Sequence, residues 1–282
     1  MQKKISIITI NYNNCVGLRN TIESVINQSW RDFEYIVIDG GSTDGSIDVI
    51  KEFSSYIDYW VSESDKGIYN ALNKGVVVAN GEYCNFMNSG DCFYSPTTLS
   101  DVFNPKPTAD ILCGITHSDY VKIPPQEITF DFLFNGCICH QCAFIRTSIM
   151  KKYGYDEKYK IVSDRKFFVQ ALILDNCSYQ ALDVDVVKYD NTGFSANNPV
   201  LSRLEYDKVL EELIPERIRR DYGRKYKGQL YGDTWYDKLF VEIRNRHYRI
   251  LIYSLCVYLL YIISFFKKSA LFIKKFPFRL SD

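Results

Sequence analysis

The sequence has no net charge, since 34 Lys and Arg balance 34 Asp and Glu. That absence argues against general nucleic-acid binding, which draws on an excess of basic side chains to meet phosphates. A secretory leader is not expected either. "MQKK" is a basic start, but the apolar run "ISIITI" covers only residues 5–10 before Asn11 ends it, which is shorter than a signal core. The nine cysteines lack the spacing of a disulfide framework, so reduced thiols in a cytoplasmic protein are expected. No internal repeat and no low-complexity linker divides the 282 residues, a length that suits one large domain or one domain with an appendage.

A zinc centre lacks support as well. In "CICHQC" (Cys137, Cys139, His140, Cys142) the thiols are too close for the usual two-residue gap, and no second pair follows. Small buried cysteines are the simpler reading. If this stretch is a strand, His140 and Cys142 share one face and Cys139 points away.

What the sequence has in abundance is aromatic, 15% with 22 Tyr and 18 Phe. Rings serve cores, sugar stacking and membrane interfaces alike, so this number alone separates none of them. The charge is unevenly spread. From residue 241 onward eight Lys or Arg face two acids, a balance of +6, and the first 240 residues therefore carry −6. A mildly acidic body with a basic, apolar tail points to a tail that seeks a surface.

The first hundred residues repeat one rhythm. "ISIITI", "FEYIVID", "IDYWVSE" and "EYCNFMN" read as strands. Between them, Leu18, Ile22, Val25 and Ile26, then Ile47, Ile50 and Phe53, then Ile68, Ala71, Leu72, Gly75 and Val76 fall at helical spacing. Strands this apolar, alternating with helices, predict an α/β fold: a Rossmann-like, mostly parallel sheet with helices on both faces. Beyond Asp91, "ADILCGIT", "HQCAFIR" and "YQALDVDVVKYD" read as further strands and "DRKFFVQALIL" as an amphipathic helix. Residues 117–136 read as irregular, and from about 198 the pattern is helical.

In an open parallel sheet, ligands bind beyond the carboxyl ends of the strands, near the point where strand order reverses. The polar residues follow that rule. Thr9 and Asn11 close the first strand, Asp39 the second, Asp65 follows the third and Asp91 the fourth. "DGGSTDG" nearly imitates a dinucleotide loop, but Ser42 stands where the middle glycine must let a pyrophosphate approach. Ser42, Thr43 or Asp44 can instead cap the following helix. Asp39 precedes that turn, where a carboxylate can accept from a ribose hydroxyl or a base N–H.

Taken together, "SIITINYNN", "FEYIVIDGGSTDGS", "SESDKGIYNALNKG", "ANGEYCNFMNSGD", "CHQCAF" and "SDRKFF" resemble the family 2 glycosyltransferases of GT-A fold, over roughly residues 3–190. The subgroup most resembled builds bacterial O-antigens, capsules and other exopolysaccharides from nucleotide sugars. The resemblance implies an inverting transfer to a glycan hydroxyl with Mn2+ or Mg2+ as cofactor. Where the family carries Asp-X-Asp, this chain has Ser89-Gly90-Asp91, so Asp91 alone resembles the metal ligand. Thr9, Asn11 and Asp39 match positions that hold a uracil or thymine and its ribose, with Asp65 and Lys66 as further donor contacts. Asp164 matches the acid that serves as general base; a helix-capping role for Ser163 and Asp164 is compatible with it. His140 and Gln141 match the family's His-Gln pair, expected to touch acceptor or diphosphate. Asp156 and Glu157 read as solvated loop acids.

Two other classes remain open from the residues. A nucleotidyltransferase would show a glycine-rich basic loop after the first strand, and "NYNNCVGLRN" has one Gly and one Arg. A degenerate assembly subunit is suggested by the lost first acid and opposed by the retained Asp39, Asp91 and Asp164. The expected organisation is a catalytic domain over 1–195 (donor half 1–92, acceptor half 93–195), a helical extension over 196–240 and a tail over 241–282. Residues 250–266 are uncharged, with basic residues on both sides and three Tyr within. At ~1.5 Å per residue they fall just short of a ~30 Å hydrocarbon core. A tail lying in the cytoplasmic membrane surface, delivering the enzyme to a lipid-linked acceptor, is the expectation.

Overall fold

The computed structural model describes residues 3–190 and 198–225. The strands are β1 (Ile5–Asn11), β2 (Phe33–Asp39), β3 (Tyr59–Ser62), β4 (Tyr83–Phe86), β5 (Cys92–Phe93), β6 (Ile111–His117), β7 (Val121–Lys122), β8 (Ala143–Arg146) and β9 (Tyr179–Lys188). The helices are α1 (Cys15–Ile26), α2 (Ser46–Glu52), α3 (Ile68–Val78), α4 (Thr98–Phe103), α5 (Phe130–Asn135), α6 (Thr147–Tyr153), α7 (Ser163–Phe168), α8 (Pro199–Leu213) and α9 (Glu216–Lys225). A π-helical turn, Val169–Leu174, continues α7. The chain forms two units, Met1–Pro215 and Glu216–Asp282. In the second, α9 carries an Arg220–Glu216 ion pair at 2.6 Å. The tail at 241–282 and its run at 250–266 lie outside the described residues.

The sheet of the first unit runs β3-β2-β1-β4-β8-β6-β9-β5, with β7 on β6. The first four strands are parallel neighbours, as the βαβ rhythm predicts. After β1 the chain adds β2 and β3 on one side, then crosses to add β4 on the other, so strand order reverses at β1 and β4. β8 then runs antiparallel to both β4 and β6, while β9 is parallel to β6. The start of β8 therefore lies at the same rim as the ends of β1, β2, β4, β6 and β9. This insertion brings residues 140–142 and 188–190 to the edge where Asp39 and the residues after β3 and β4 sit.

Differences from expectation are local and have physical causes. β8 starts only at Ala143, because His140–Cys142 form a 3-10 turn. His140 and Cys142 thus do not share a strand face; Cys142 Sγ turns inward, 3.4 Å from Cys113 Sγ. Residues 117–136 hold β7 and α5 rather than only loop. β3 is an edge strand with Tyr59 and Trp60 open to solvent, so the sheet is not covered everywhere. In α3 the buried face begins at Tyr69 and leaves Ile68 outside. Both residues satisfy the i, i+3, i+7 pattern with neighbours that do pack, and only the phenol finds polar partners inside. α8, assigned by sequence to an extension, belongs to the first unit and buries Tyr206, Val209 and Leu210.

A bed of rings lies beneath the rim. Tyr155 contacts Tyr69 (5.3 Å between centroids), Phe86 (5.4 Å) and Phe167 (6.0 Å), and His140 stands edge-on to Phe86 at 6.0 Å. Part of the high aromatic content is thereby spent on a rigid, apolar support for polar groups.

α8 also fastens the segment that leads into α7. Glu205, 8% exposed, accepts from the backbone N–H groups of Lys160 (2.9 Å) and Ile161 (2.9 Å). Removing it leaves those donors unsatisfied, at a cost on the order of 1–3 kcal/mol. Glu205→Ala is expected to lower the urea midpoint accordingly and to speed hydrogen exchange at the Lys160 and Ile161 amides. Unchanged exchange at both amides would show that α8 does not hold this segment.

Candidate active site

The rim of β1 and β2 is built around one buried carboxylate. Asn11 and Asp39 are register partners at the strand ends. Asp39 Oδ1 accepts from Asn11 Nδ2 (2.7 Å) and Ser42 Oγ (2.6 Å). Its Oδ2 accepts from the N–H groups of Gly41 (3.1 Å) and Ser42 (2.9 Å) and from Ser62 Oγ (2.6 Å). Burial raises the Asp39 pKa, but the Ser42 and Ser62 hydroxyls and the other donors outweigh it and hold the carboxyl below its ordinary value. A carboxylate has about four lone-pair sites, so Asp39 has none to offer a ribose. It shapes the turn, and it is fully buried beside the cavity rather than among the residues that line it.

The turn it shapes is open to a ligand. Gly41 has φ +82°, and a Cβ on Gly40 would stand 2.6 Å from Asp65 Oδ2. Asn11 Oδ1 is buried without a partner; its amide cannot turn over, because Oδ1 would then face Asp39. Asn11, Gly40, Gly41 and Asp65 line a cavity of about 950 Å³. Thr9 and Lys66 are not among the residues that line it. Thr9 is fully buried, with its hydroxyl donating to Met87 O at 2.7 Å and meeting Tyr35 Oη at 3.0 Å. Lys66 lies on the outside of the loop before α3. Thr9 thus lies beneath the cavity, and Lys66 is exposed next to Asp65, which lines it.

The other wall of the cavity carries the two remaining carboxylates, and adjacent residues hold them. Gln141 Nε2 donates to Asp91 Oδ2 at 3.1 Å, and the Asp190 N–H donates to Asp91 Oδ1 at 2.9 Å. His140 Nδ1 lies 3.2 Å from Asp164 Oδ2. Asp164 Oδ1 also accepts from the Arg165 N–H (2.9 Å) and lies 3.1 Å from Tyr69 Oη, whose proton is shared with Ile161 O. Burial works against the charge of both partners. It raises the Asp164 pKa, but hydrogen bonding and the charge of His140 lower it further, so the net shift is downward. It lowers the His140 pKa, and the Asp164 bond and charge carry the net shift upward. The pair is an imidazolium–carboxylate pair over the range between the two shifted values. Its stabilisation is lost below the Asp164 value and above the His140 value.

Several groups at this wall escape sequence reading. Tyr69 is kept protonated by burial and by the Asp164 charge. Asn88 Nδ2 lies 3.3 Å from His140 Nε2, and Asn88 Oδ1 is buried without a partner. Turned over, that amide would accept from the imidazolium. Asp190 reaches Asp91 only through the β9 pairing. Asn88 alone had a usable signal, as a turn residue ahead of Asp91. Asp156 and Glu157 are not free loop acids: Lys166 pairs with the first at 2.7 Å, and Asn70 and Asn73 donate to the second.

Asp91 is 4% exposed, and burial pushes its pKa to about 6 against the opposing bonds from Asp190 N–H and Gln141. Asp190 adds like charge beside it. Each Asp91 oxygen accepts from one donor, Gln141 Nε2 or the Asp190 N–H, and so retains a lone pair. No group of three or more His, Cys, Asp or Glu that could hold a metal occurs among the described residues. Asp91 and Asp190 thus fit a hard divalent cation that takes one or two carboxylates and completes its shell with phosphate oxygens and water.

The raised pKa of Asp91 has a stability consequence. Between the unfolded carboxylate value and about 6 the native state binds more protons, so stability falls as pH rises through that window. At pH 7 the ionised carboxylate costs about 2–3 kcal/mol. Asp91→Asn is therefore expected to be more stable than wild type by up to this amount at pH 7, with the gain fading toward pH 4. Urea unfolding at both pH values tests it; equal stabilisation at pH 4 and 7 would exclude a titrating cause.

Residues 6–154 match the family described as Glycosyl transferase family 2. An uncharacterised glycosyltransferase of Mycobacterium tuberculosis is 28% identical over 256 residues, covering 85% of this chain and 97% of that one. A PGL/p-HBAD biosynthesis glycosyltransferase of Mycobacterium bovis is 28% identical over 223 residues, covering 76% and 85%. Among solved structures, residues 1–349 of S. aureus TarS in complex with UDP-GlcNAc superpose with a TM-score of 0.60 at 20% identity, over 77% of this chain and 69% of that one. Glucosyl-3-phosphoglycerate synthase from M. tuberculosis, in complex with Mn2+, UDP and glucosyl-3-phosphoglycerate, gives 0.55 at 15% identity, over 76% and 81%. The architecture is the GT-A fold, and the chain belongs to glycosyltransferase family 2.

Proposed function

We propose that this protein transfers a sugar, with inversion, from a UDP-sugar to a hydroxyl of a lipid-linked glycan in bacterial surface polysaccharide synthesis. The observation that carries the reading is that Asp91 and Asp164 are held through adjacent residues, Gln141 and His140, in a cavity that also takes in Asn11 and Asp65. The solved relatives with UDP, UDP-GlcNAc or Mn2+ support the choice of donor and cofactor.

Asn11 Oδ1 accepts from the base N–H, and Gly40 and Gly41 let the nucleoside approach the β2 turn under Asp65. Asp91 and Asp190 would hold a divalent cation, Mn2+ or Mg2+, whose charge would offset that gathering on the departing diphosphate. Asp164 takes the proton of the acceptor hydroxyl as it attacks the anomeric carbon. Its one remaining lone pair is aimed by three donors, so little reorientation is needed at the moment of transfer. His140 keeps Asp164 ionised beforehand, and Gln141 orients Asp91. One base suffices for direct displacement, so no nucleophilic carboxylate is required.

The catalytic unit is taken to run to Pro215, with the donor half over 1–92. The segment over 241–282 is proposed to lie on the membrane surface, drawn there by its basic residues and apolar run. Tyr120, Val121 and Ile123, which stand exposed beside the acceptor end, suit an apolar acceptor moiety. No helix among the described residues is long and apolar enough to cross a membrane.

Asp164→Asn should leave UDP affinity by calorimetry unchanged and cut turnover by ~10²-fold or more, the scale of a general base. A loss confined to donor affinity would make Asp164 a binding group. Screening UDP-, dTDP- and GDP-sugars should find binding for the UDP series; no binding by any of them would end the donor reading. Deleting residues 241–282 should release the protein from anionic vesicles while donor hydrolysis persists, and equal vesicle binding by the shortened chain would refute the membrane role.

A further inference from the structure

Four cysteines, Cys113, Cys137, Cys139 and Cys142, line a hollow of about 10 Å³ behind the His140–Cys142 turn, and the proposed transfer uses none of them. That volume is roughly what one water-sized molecule needs. Thr116, Lys122, Cys137, Ile138 and Cys139 line both this hollow and the active-site cavity. The thiols are thus withdrawn from the surface but adjoin the space that admits substrate.

Two of them are close to bonding contact. Cys113 Sγ and Cys142 Sγ stand 3.4 Å apart. Cys113 is the register partner of Ala143 across β6 and β8, one residue from Cys142. A disulfide needs a sulfur separation of ~2.05 Å, so the pair must close by about 1.4 Å. The Cys113 contact and burial keep the Cys142 thiol protonated, which makes it a slow nucleophile toward an oxidant. Cys137 is placed differently. It is half-buried, and Lys122 Nζ lies 3.8 Å from its sulfur, where an ammonium meets the charge that passes through sulfur as it reacts.

We propose that this cluster is a peroxide-sensitive thiol site whose oxidised form, a Cys113–Cys142 disulfide, slackens the turn that carries His140 and Gln141. Cys137 attacks a hydroperoxide, the O–O bond breaks, and sulfur becomes a sulfenic acid while the alcohol leaves (water, for hydrogen peroxide). Cys142 then displaces water from that sulfur to form a mixed disulfide. Cys113 attacks Cys142 and releases Cys137 as a thiol. In sum two thiols give up two electrons and two protons, and one hydroperoxide is reduced to alcohol and water.

The effect on the site follows from position. Cys142 ends the turn that holds His140 and Gln141. Its Sγ donates to Cys139 O at 3.1 Å, and Cys139 Sγ donates to Gln141 Oε1 at 3.0 Å. Drawing Cys142 toward β6 and oxidising its thiol removes the first bond and disturbs the second. The bonds that hold the carboxylates, Gln141 to Asp91 at 3.1 Å and His140 to Asp164 at 3.2 Å, are at the long end of the hydrogen-bond range and leave little slack. The effect on transfer rests on the roles proposed for Asp91 and Asp164; the disulfide does not.

The test uses the full reduced chain, titrated with hydrogen peroxide, alkylated and digested without reductant. Mass spectrometry should find Cys113 joined to Cys142, and dithiothreitol should undo the link. The NMR signal of the Gln141 side-chain amide should shift on oxidation and return on reduction. Turnover of UDP-sugar should fall and recover with it, by about 10-fold or more, the scale of one lost bond to a charged group. Cys113→Ala should trap the Cys137–Cys142 mixed disulfide, whereas Cys142→Ala should form no link and keep its Gln141 signal in peroxide; either variant decides the matter where the other fails to fold. Peroxide that leaves the cluster reduced, or carries Cys137 to a sulfinic acid without any link, refutes the site. A link that leaves the Gln141 amide unmoved, or turnover unchanged, refutes the switch. If the reduced protein neither binds nor turns over a UDP-sugar, the donor reading falls, and the link and the amide signal still decide this proposal.

Discussion

Adjacent residues on one short turn hold carboxylates that arrive from two distant parts of the chain, and the rest of the site depends on that tie. Gln141 fixes Asp91 on the turn after β4. His140 fixes Asp164 at the start of α7. The spacing between the two acids is thus set by one peptide unit rather than by loop packing. The turn can do this only because β8 runs against β4, which delivers its beginning, not its end, to the rim. A parallel strand in that place would carry the His-Gln pair to the opposite edge of the sheet.

The two carboxylates differ because their surroundings differ. Both are withdrawn from water, which alone raises a carboxylate pKa. Asp164 has a cationic partner and comes out ionised with a lowered value. Asp91 is raised to about 6 by burial, which outweighs its neutral donors and the more distant His140 charge, with Asp190 adding like charge. One is thereby poised to keep its charge until a proton is offered; the other gains from any cation brought to it. The aromatic bed under His140 enforces the contrast by excluding water from one side.

Much of the donor half was legible in the sequence because its signals are local. Apolar strands, helical periodicity and a polar residue at each strand end specify the βαβ order and the rim. Asp91, Asp164, His140 and Gln141 were legible as a motif set through resemblance. What each does within the rim was less so. Thr9 and Asp39 look like ligand contacts from their positions, but cross-strand register surrounds them with Tyr35, Met87, Ser42 and Ser62. Tyr69 and Ile68 are indistinguishable by periodicity, and the choice falls to a tertiary partner 95 positions away, Asp164. Asp190 acquires meaning only when β9 closes against the sheet, which no short window of sequence encodes.

The Glu205 clasp sets the modularity of the chain. By capping the amides of Lys160 and Ile161 it ties a helix from beyond the sheet to the wall of the cavity. A fragment ended at the last strand would keep Asp91, Asp164, His140 and Gln141 and still lose the anchor of the segment that leads to Asp164. Recombination with a relative would then have to exchange α8 together with the 155–165 segment, because the two are one inheritable piece.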